Sequence, residues 1–475
     1  MLIDGKQIET DNKLDVMNPY NKEVIEKVSV ADAEHINEAI KSAEKGFSII
    51  SKMPPYKRAD ILLETSNLIE SWKERFAELI AKEAGKPWKY AIGEVNRAKQ
   101  TFRFASEEAK RISGETIPMD SAVGSEKRKG FFIRQPIGVI FAISPFNFPL
   151  NLVAHKIAPA IAVGNSVILK PASATPLTAL MLGKILMMAD LPPGAVNILI
   201  GPGSTVGDAL IKDKRIRMIT FTGSAEVGLY IKQNSGFKKL TLELGSNSGV
   251  IIDKDCDFRK AVARCLIGGF AYQGQVCIHT QRIYVHQKIA DRFIQRFVKG
   301  AKRLKITNPV NKKCEFGPMI DSASAQKAKA WLNEAVNQNA KVITGGEVNG
   351  TFFQPTVVVN ARPEMKIVCE ETFAPIVTIE TFSNFNEAVE KFNQGSRLGK
   401  YEYGLAAGIF TNDIKNAFYG IENIETGNVY VNDSATFRVD QMPYGGIRAS
   451  GIGREGPKFA MEEMTDIKMV SFNLE

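Results

Sequence analysis

The sequence predicts an α/β protein with two domains built on parallel sheets. Its 475 residues exceed what one hydrophobic core normally serves. From Gly138 onward, short apolar segments with strand character alternate with helical segments, and after Gly249 a second set of the same kind begins. Such alternation is typical of parallel sheets covered by helices on both faces, which bind ligands beyond the carboxyl ends of their strands.

Residues 32–114 precede the first alternating set and have the periodicity of helices. Their apolar side chains recur at helix-face spacing after Pro54-Pro55, at positions 61, 62, 68, 69, 72, 76, 79 and 80. The first alternating set predicts strands over 139–143, 166–169, 196–200, 218–221 and 240–244. The helices predicted between them cover 150–163, 177–188, 205–212 and 225–234.

The second alternating set predicts strands near 250–252 and 282–285, with helices near 258–272, 287–304 and 323–338. Two remaining segments, 120–136 and 459–475, follow neither pattern. The second of them alternates through Ile467, Met469 and Phe472 as a strand does. We expect these two segments to pair into a small sheet that a partner subunit covers.

The composition, with 44% hydrophobic and 24% charged residues, is that of a globular protein. The first residues lack the basic start and apolar stretch of a secretory signal, so a cytoplasmic location is expected. The most apolar region, 137–169, is interrupted by proline, histidine and lysine, so it lacks the uninterrupted apolar run of about 20 residues that spans a bilayer. No membrane partner is therefore expected.

The net charge of +9 arises from 61 basic residues dispersed among 52 acidic ones. This pattern is typical of a solvated surface, and no nucleic-acid partner is predicted, although a positive field would help to attract anionic cofactors or substrates. The five cysteines form no closely spaced pair and are expected to be reduced thiols. The four histidines lack the spacing of metal ligands, so no metal is predicted.

Cys277 is the residue that most strongly suggests chemistry. It lies in Gly274-Gln275-Val276-Cys277, while Glu243 lies in Leu242-Glu243-Leu244-Gly245 and Asn147 in Pro145-Phe146-Asn147-Phe148-Pro149. A thiolate attacks a carbonyl efficiently when one group takes up protons and another holds the developing oxyanion. The glutamate and the asparagine could supply these two functions.

Two features could bind an anionic ligand. Phe221-Thr222-Gly223-Ser224 comes directly off a predicted strand and opens a helix, where free amides suit a pyrophosphate, although Ser224 could equally be an ordinary N-cap. Lys170 ends another predicted strand and would face the ligand crevice. By contrast, residues 451–456 match the dinucleotide fingerprint GxGxxG by accident, because the remaining 19 residues (475 − 456) are too few for the elements that must follow.

Taken together, seven motifs resemble those of the aldehyde dehydrogenase superfamily, in that family's order and over nearly the whole chain. They are Pro145-Phe146-Asn147-Phe148-Pro149, Lys170-Pro171, Phe221-Thr222-Gly223-Ser224, Leu242-Glu243-Leu244-Gly245, Gly274-Gln275-Val276-Cys277, Glu370-Glu371-Thr372-Phe373 and Pro443-Tyr444-Gly445-Gly446. Thr101-Phe102-Arg103-Phe104 and residues 432–438 are similar to the branch that includes lactaldehyde, phosphonoacetaldehyde and non-phosphorylating glyceraldehyde-3-phosphate dehydrogenases.

The resemblance implies a Rossmann-like cofactor domain, formed by 1–118 and 138–245, and an α/β catalytic domain over 246–445. It also implies a small β oligomerisation arm, formed by 119–137 and 457–475. Such an arm would make the protein a homodimer or a homotetramer.

The resemblance further implies that Cys277 attacks the aldehyde to give a thiohemiacetal, whose oxyanion is held by the Asn147 amide and the backbone N–H of Cys277. Hydride passes to the nicotinamide and leaves a thioester, which water activated by Glu243 hydrolyses to the carboxylic acid. Coenzyme A-acylating relatives tend to lack this glutamate. That activity stays an alternative, as does an inert structural relative, which would have no physical reason to keep all three residues.

NAD or NADP is the implied cofactor. By resemblance, Lys170 contacts the adenosine ribose, Ser224 and nearby amides the pyrophosphate, and Glu371 with Phe373 the nicotinamide riboside. Further positions around the cofactor correspond to Phe146, Gly203, Phe221, Gly223, Leu244 and Gly245.

Ser173 bears on the choice between the two cofactors, because NAD-preferring members often carry glutamate at its position. A carboxylate would repel the 2′-phosphate of NADP, whereas serine leaves room and Lys170 offers a cation. NADP should therefore be accepted and could be preferred.

The substrate is expected to be a small aldehyde that is hydroxylated or anionic. Arg103, His155, Arg282 and Arg438 are candidate anion binders, because cations near the aldehyde entrance favour phosphate, phosphonate, sulfonate or carboxylate groups. Each of them could equally be a surface or interdomain ion-pair residue. Phe437 is a further candidate substrate contact.

Overall fold

The computed structural model describes residues 1–475 and confirms the α/β class. The helices are α1 (Ala33–Ile50), α2 (Pro55–Ser71), α3 (Lys73–Glu83), α4 (Trp88–Ala109), α5 (Asn151–Val163), α6 (Leu177–Met188), α7 (Asp208–Lys212), α8 (Ala225–Asn234), α9 (Phe258–Phe270), α10 (Gln287–Ala301), α11 (Ser322–Asn337), α12 (Lys366–Cys369), α13 (Phe385–Arg397), α14 (Ile414–Asn423) and α15 (Pro457–Glu463). None of them combines the length and the apolarity needed to cross a membrane.

The strands are β1 (Leu2–Ile3), β2 (Lys6–Gln7), β3 (Lys13–Met17), β4 (Val24–Ser29), β5 (Glu115–Ile117), β6 (Arg128–Pro136), β7 (Val139–Ile143), β8 (Ser166–Lys170), β9 (Val196–Ile198), β10 (Ile216–Thr222), β11 (Lys239–Glu243), β12 (Gly249–Ile252), β13 (Arg282–His286), β14 (Lys341–Thr344), β15 (Val348–Asn349), β16 (Phe352–Phe353), β17 (Thr356–Val359), β18 (Ile376–Phe382), β19 (Ala406–Phe410), β20 (Asn428–Val431), β21 (Gly451–Ile452) and β22 (Thr465–Asn473). The sequence patterns predicted no element before residue 32, whereas the structure has strands β1 to β4 there. The helix predicted from residue 205 begins at Asp208, after a wider turn over 203–207.

The first sheet has the strand order β2-β1-β9-β8-β7-β10-β11-β21. Its five central strands run parallel, and β1 and β21 add antiparallel partners on either side. Ile140 and Ala142 of β7 join one core with helices α2 to α6, whereas Val139 and Phe141 join a second core with α1, α7 and α8. Side chains alternate across a strand, so this division shows that helices cover both faces, as predicted.

The second sheet has the order β14-β17-β18-β13-β12-β19-β20 and is parallel apart from β14. Helices α9 and α10 pack on one face, where Phe293 and Phe297 stack with ring centroids 5.6 Å apart. Helix α13 packs on the other face through Phe385 and Phe392. The second alternating set in the sequence therefore forms a second covered parallel sheet.

A third sheet, β22-β6-β5, joins segments that lie far apart in the sequence. All nine residues of β22 pair antiparallel with β6, from Thr465 opposite Pro136 to Asn473 opposite Arg128. This is the pairing that the alternating tail predicted. The strand begins at Thr465, because residues 457–463 form α15, which packs against α4 and α5.

Alanine at Gly46 should destabilise the packing of α1 on the first sheet. A Cβ at Gly46 would stand 2.2 Å from the carbonyl carbon of Gly194, which lies just before β9. The helix would have to move away from this backbone, so Gly46→Ala should lower the free energy of unfolding by about 2 kcal/mol. Thermal melting of the purified variant measures the effect.

Gly93→Ala is the matched control for this prediction. Gly93 lies inside α4, and a Cβ there meets nothing within 4 Å. Alanine also favours a helix over glycine by up to about 1 kcal/mol. This variant should melt at or above the temperature of the parent protein, and equal melting temperatures for the two variants would contradict the packing argument.

Candidate functional site

A cavity of about 340 Å³ takes its lining from both large sheets and their helices. The carboxyl ends of β7, β10 and β11 supply residues 145–147, 222–224 and 244–245, and α5 supplies Leu152. The remaining lining residues come from the second half of the chain and are Gln275, Cys277, Ser324, Lys327, Glu371, Thr372 and Phe373. The cavity therefore lies where parallel sheets bind ligands.

Nine of the predicted site residues line this cavity, namely Phe146, Asn147, Gly223, Ser224, Leu244, Gly245, Cys277, Glu371 and Phe373. Glu243 directly precedes the lining residue Leu244. Lys170, Ser173, Gly203 and Phe221 lie at or after the carboxyl ends of β8, β9 and β10. None of the substrate candidates is part of the lining, namely Arg103, His155, Arg282, Phe437 and Arg438.

Cys277 follows a turn with an uncommon backbone conformation. Tyr272, Gln273 and Gly274 have successive positive φ angles of 47°, 57° and 70°. Left-handed backbone is unfavourable for the tyrosine and the glutamine, so surrounding contacts must hold the turn. At Gly274 a Cβ would approach the carbonyl oxygen of Ala374 to 2.4 Å, so glycine is required for space as well as for conformation.

Buried hydrogen bonds anchor this turn to both halves of the chain. The Tyr272 hydroxyl donates to the carbonyl of Ala84 at 2.7 Å, and the side-chain carbonyl of Gln275 accepts from the N–H of Ile320 at 2.9 Å. These bonds fix the backbone on which the Cys277 thiol is mounted.

The thiol of Cys277 is in a partly buried environment. Burial raises the pKa of Cys277 to about 11, against the opposing influence of the Tyr444 hydroxyl and of the Arg438 charge. The carboxylates of Glu371 and Glu243 are near enough to raise it further. The thiol is therefore protonated at neutral pH in this state, and reaction requires a group that stabilises or accepts the charge of its ionisation.

Asn147 lines the same cavity as Cys277. Its Nδ2 donates to the carbonyl of Gln275 at 2.9 Å, two residues before Cys277. An amide nitrogen carries two hydrogens, so one remains for a ligand atom beside the sulfur. The arrangement can hold an oxyanion that forms on a carbonyl attacked by Cys277.

A buried ion pair sets the position of the segment that carries Asn147. The Glu94 carboxylate accepts from the N–H groups of Leu150 and Asn151, at 2.9 and 3.1 Å, where α5 begins. Its other oxygen binds the ammonium of Lys86, which also lies 3.7 Å above the ring of Phe148. The start of α5 is thus held by charge as well as by packing.

Glu243 ends β11 with a buried carboxyl group whose two oxygens have no hydrogen-bond partner. Burial and the charge of Glu455 raise the pKa of Glu243 well above its usual value, while Arg438 and Lys156 act in the opposite direction. Free carboxyl oxygens and a raised pKa are the properties of a general base acting on water.

Glu455 lies at the centre of the charges around Glu243. It binds Lys156 of α5 at 3.4 Å and Arg438 at 2.9 Å. Although burial would raise the pKa of Glu455, the two cations outweigh it and hold the pKa at about 2. Lys156 also donates to the hydroxyl of Thr222 at 2.6 Å. One carboxylate thus binds two buried cations, and Glu243 is left without a partner of its own.

Glu371 and Gly245 meet at the far side of the cavity. The Glu371 carboxylate accepts from the N–H of Ser246 at 2.9 Å, and burial raises the pKa of Glu371 to about 7. A Cβ at Gly245 would stand 2.3 Å from one of its oxygens, so only glycine leaves room for the carboxylate. Phe373 packs against the ring of Phe146 with centroids 5.8 Å apart.

The first sheet offers features that fit an anionic dinucleotide. Lys170 ends β8, and its ammonium, whose pKa is lowered by burial, has no hydrogen bond or ion pair. Ser224 caps the ten-residue helix α8 by accepting from the N–H of Val227 at 3.4 Å. Ser173 donates to the carbonyl of Gly201 at 3.3 Å. A free buried cation and a helix N-terminus at one sheet edge suit phosphate groups.

Arg103 and Arg282 lie away from the cavity. Arg103 is on the exposed surface of α4, where its Nε lies 3.4 Å from a carboxylate oxygen of Glu107. Arg282 is fully buried and donates to the carbonyls of Asn247 and Phe392 at 2.7 and 2.8 Å, which ties β13 to α13. Arg103 corresponds to the surface alternative that the sequence left open, whereas Arg282 corresponds to neither alternative, because it is buried and forms no ion pair.

His155 and Arg438 belong to a polar cluster around Asp440. The Nε2 of buried His155 lies 3.0 Å from Asp440 and 3.3 Å from the guanidinium of Arg438. Asp440 also accepts from Arg97 at 2.8 Å. Burial and the Arg438 charge lower the pKa of His155, so the imidazole is neutral at pH 7. Phe437 is exposed, and its ring packs against that of Tyr430 with centroids 5.8 Å apart.

The sequence analysis assigned no role to Lys156, Glu455, Tyr444, Ser324 or Lys327. The sequence could have indicated a role for Lys156, because a charged side chain inside an otherwise apolar helix requires a partner. Glu455 lies within residues 451–456, the glycine-containing segment that matches a dinucleotide fingerprint by accident. The sequence of that segment does not indicate that the carboxylate of Glu455 is buried. The last two residues lie on an ordinary amphipathic helix, α11, whose pattern gives no indication of a cavity.

Comparisons with known proteins agree with this geometry. The profile of the aldehyde dehydrogenase family matches residues 7–470. The 3-sulfolactaldehyde dehydrogenase of Priestia aryabhattai is 41% identical over 474 residues, which cover 100% of this chain and 98% of that protein.

Two solved structures have the same architecture. Aldehyde dehydrogenase 21 from Physcomitrella patens, in complex with the reaction product succinate, has a TM-score of 0.95 and 40% identity, covering 99% of this chain and 97% of that one. The glyceraldehyde-3-phosphate dehydrogenase GapN from Methanocaldococcus jannaschii, complexed with NADP, has a TM-score of 0.92 and 41% identity, covering 98% and 100%. The chain therefore belongs to the aldehyde dehydrogenase family and is an NAD(P)-dependent aldehyde dehydrogenase, as its motifs predicted.

Proposed function

We propose that the protein oxidises a small hydroxylated or anionic aldehyde to the carboxylic acid, with Cys277 as nucleophile and Glu243 as the base that activates water. The observation that carries this proposal is the convergence of three groups at one cavity. Cys277 and Asn147 line it, and the unpartnered carboxyl group of Glu243 lies beside them.

In the first step the Cys277 thiol loses its proton to water, and the thiolate attacks the aldehyde carbon to form a thiohemiacetal oxyanion. The free N–H of the Asn147 amide and the backbone N–H of Cys277 hold the oxyanion. When bound, the nicotinamide accepts a hydride from the substrate carbon, and a thioester remains on Cys277. Glu243 then takes a proton from a water molecule as that water attacks the thioester carbon, and the acid and the Cys277 thiolate are released. The proton leaves Glu243 before the next turnover.

The charges around Glu243 support its role as the base. Its raised pKa makes the carboxylate a stronger proton acceptor than an exposed glutamate. Its lack of hydrogen-bond partners leaves both oxygens available for water. A coenzyme A-acylating enzyme would have no use for such a base, so the geometry favours hydrolysis.

The cofactor is expected to lie along the edge of the first sheet. Lys170 and Ser173 would bind the adenosine ribose, the start of α8 at Ser224 would bind the pyrophosphate, and Glu371 would bind the nicotinamide riboside. The unpaired ammonium of Lys170 and the absence of a carboxylate at 173 favour a 2′-phosphate. We therefore infer that NADP is accepted at least as well as NAD.

The substrate proposal rests on a buried guanidinium and on the relatives. The Nε of Arg438 is buried without a partner, although its terminal nitrogen binds Glu455. Arg438 stacks over Tyr444, and the hydroxyl of Tyr444 contacts Cys277, so two contacts connect this guanidinium to the sulfur. Relatives named for sulfolactaldehyde and glyceraldehyde 3-phosphate act on aldehydes that carry both hydroxyl and anionic groups.

The third sheet supports assembly into a homodimer or homotetramer. Ile467, Met469 and Phe472 of β22 and Phe131 and Ile133 of β6 are large apolar side chains that are exposed in the single chain. Exposed apolar residues concentrated on one small sheet are typical of a surface that a second subunit covers.

A steady-state screen of small aldehydes tests the substrate class. We expect kcat/KM for lactaldehyde, 3-sulfolactaldehyde and succinic semialdehyde to exceed that for propanal by at least about tenfold, because a buried unpaired N–H gains a partner only from a polar substrate. Assays run with and without coenzyme A provide the control. Equal rates for propanal, or a requirement for coenzyme A, would count against the proposal.

Substitution of Glu243 should separate acylation from hydrolysis. In Glu243→Gln, the first turnover should still release one equivalent of reduced cofactor, while the steady rate falls about 100-fold, as for loss of a general base. In the parent enzyme the steady rate should fall as the pH drops through the raised pKa of Glu243, because protonation removes the base, and this acid limb should vanish in the variant.

Cys277→Ala is the companion variant, and stopped-flow absorbance of the reduced cofactor measures the burst and the steady rate in both variants. It should show neither burst nor steady turnover while still binding NADP. A burst in Cys277→Ala would contradict the assignment of Cys277 as the nucleophile. An unchanged acid limb in the pH–rate profile of Glu243→Gln would contradict the assignment of Glu243 as the base.

Substitution of Ser173 tests the cofactor inference. Ser173→Glu should reduce kcat/KM for NADP at least about tenfold and spare that for NAD, because the carboxylate repels the 2′-phosphate. Ser173→Gln has nearly the same volume without the charge and is the matched control. Equal losses in the two variants would indicate a steric effect and would contradict the electrostatic argument.

A further inference from the structure

Tyr444 is a buried tyrosine in direct contact with the reactive sulfur. Its hydroxyl oxygen lies 3.1 Å from the Sγ of Cys277, and this is the only side-chain hydrogen bond of that sulfur. The ring is 1% exposed. The N–H of Tyr444 donates to the carbonyl of Glu455 at 3.1 Å, and the N–H of Glu455 donates to the carbonyl of Tyr444 at 2.7 Å. These two hydrogen bonds hold the backbone that carries the ring.

A cation covers one face of the Tyr444 ring. The guanidinium carbon of Arg438 stands 3.7 Å from the ring centroid, and Arg438 is held there by Glu455 at 2.9 Å. A cation above an aromatic face draws electron density from the ring. The phenolic O–H is consequently a stronger hydrogen-bond donor than that of an isolated tyrosine.

The direction of the hydrogen bond follows from the chemistry of the two groups. When Cys277 is ionised, its sulfur has no hydrogen, so only the Tyr444 O–H can donate. Burial raises the pKa of Tyr444 well above its usual value, and the phenol therefore keeps its proton while the thiolate forms. A buried thiolate is strongly destabilised unless a donor faces it.

We propose that Tyr444 is a further catalytic residue, whose hydroxyl donates a hydrogen bond to the Cys277 thiolate and so increases the fraction of reactive sulfur. This inference rests on the proposed role of Cys277 as nucleophile. No proton is transferred between the two groups. When sulfur bonds to the aldehyde carbon it loses its negative charge, and the hydroxyl is released with its proton in place.

Tyr430 provides a matched comparison within the same cluster. It packs in the small apolar cluster that includes Cys277 and Tyr444, and its hydroxyl is also buried. Unlike that of Tyr444, the Tyr430 hydroxyl has no hydrogen-bond partner. Removing each hydroxyl in turn therefore distinguishes the hydrogen bond to sulfur from the general effect of losing a buried oxygen.

The test is the rate at which iodoacetamide alkylates Cys277 in the full-length enzyme without aldehyde, followed by peptide mass spectrometry from pH 6 to pH 10. In Tyr444→Phe, the pH profile of alkylation should move about one unit towards alkaline pH, which is about tenfold slower alkylation at a fixed pH on its rising limb. In Tyr430→Phe, the profile should stay where it is in the parent enzyme.

Incorporation of 3-fluorotyrosine at position 444 extends the test without removing an atom from the core. Fluorine makes the phenol a stronger donor, so the profile should move towards acid pH. An unchanged profile in Tyr444→Phe, or an equal shift in Tyr430→Phe, would overturn the proposal, and so would an unchanged profile with 3-fluorotyrosine.

These measurements are independent of aldehyde turnover. If Cys277 were not the nucleophile, Cys277→Ala would retain aldehyde oxidation, whatever the alkylation profiles showed. If only the role of Tyr444 were wrong, Cys277→Ala would be inactive and the profile of Tyr444→Phe would match that of the parent enzyme.

Discussion

The buried carboxylate of Glu455 is the group on which the reactive centre depends. It joins Lys156 of α5 to Arg438 and shares a two-way backbone pairing with Tyr444. Two buried cations without this carboxylate would carry a large desolvation cost. Since Arg438 is stacked on Tyr444 and Tyr444 contacts Cys277, three successive contacts connect Glu455 to the sulfur.

The same balance explains why Glu243 is unusual among the buried acids of this chain. Glu94 binds an ammonium and two backbone N–H groups, and Glu83 accepts from the N–H groups of Leu177 and Thr178. Both carboxylates hold helix starts in place. Glu243 has no such bonds, and two of the neighbouring cations, Lys156 and Arg438, are bound to Glu455. A fold that satisfies its other buried carboxylates leaves this one free, which is a local cost typical of functional sites.

Much of the fold and many residues of the candidate site were predictable from the sequence. The alternation of strands and helices follows from the pattern of buried side chains. Asn147 and Glu243 lie at or just after the carboxyl ends of β7 and β11, which is where parallel sheets bind their ligands. Arg282 was not predictable, because a single arginine at a strand start has the same pattern whether it binds an anion or two carbonyl groups. The contact of Tyr444 with Cys277 joins residues 167 positions apart and has no local signal.

The connection between the two large units has a mechanical consequence. The chain leaves the first sheet after β11 and returns to it at β21, and these strands are direct neighbours, with Glu243 opposite Gly451. The second unit is therefore an insertion that is tethered at two adjacent points. Any swing of that unit about its tethers would have its axis beside Glu243, so the cavity entrance could widen while the carboxyl group of Glu243 moved least.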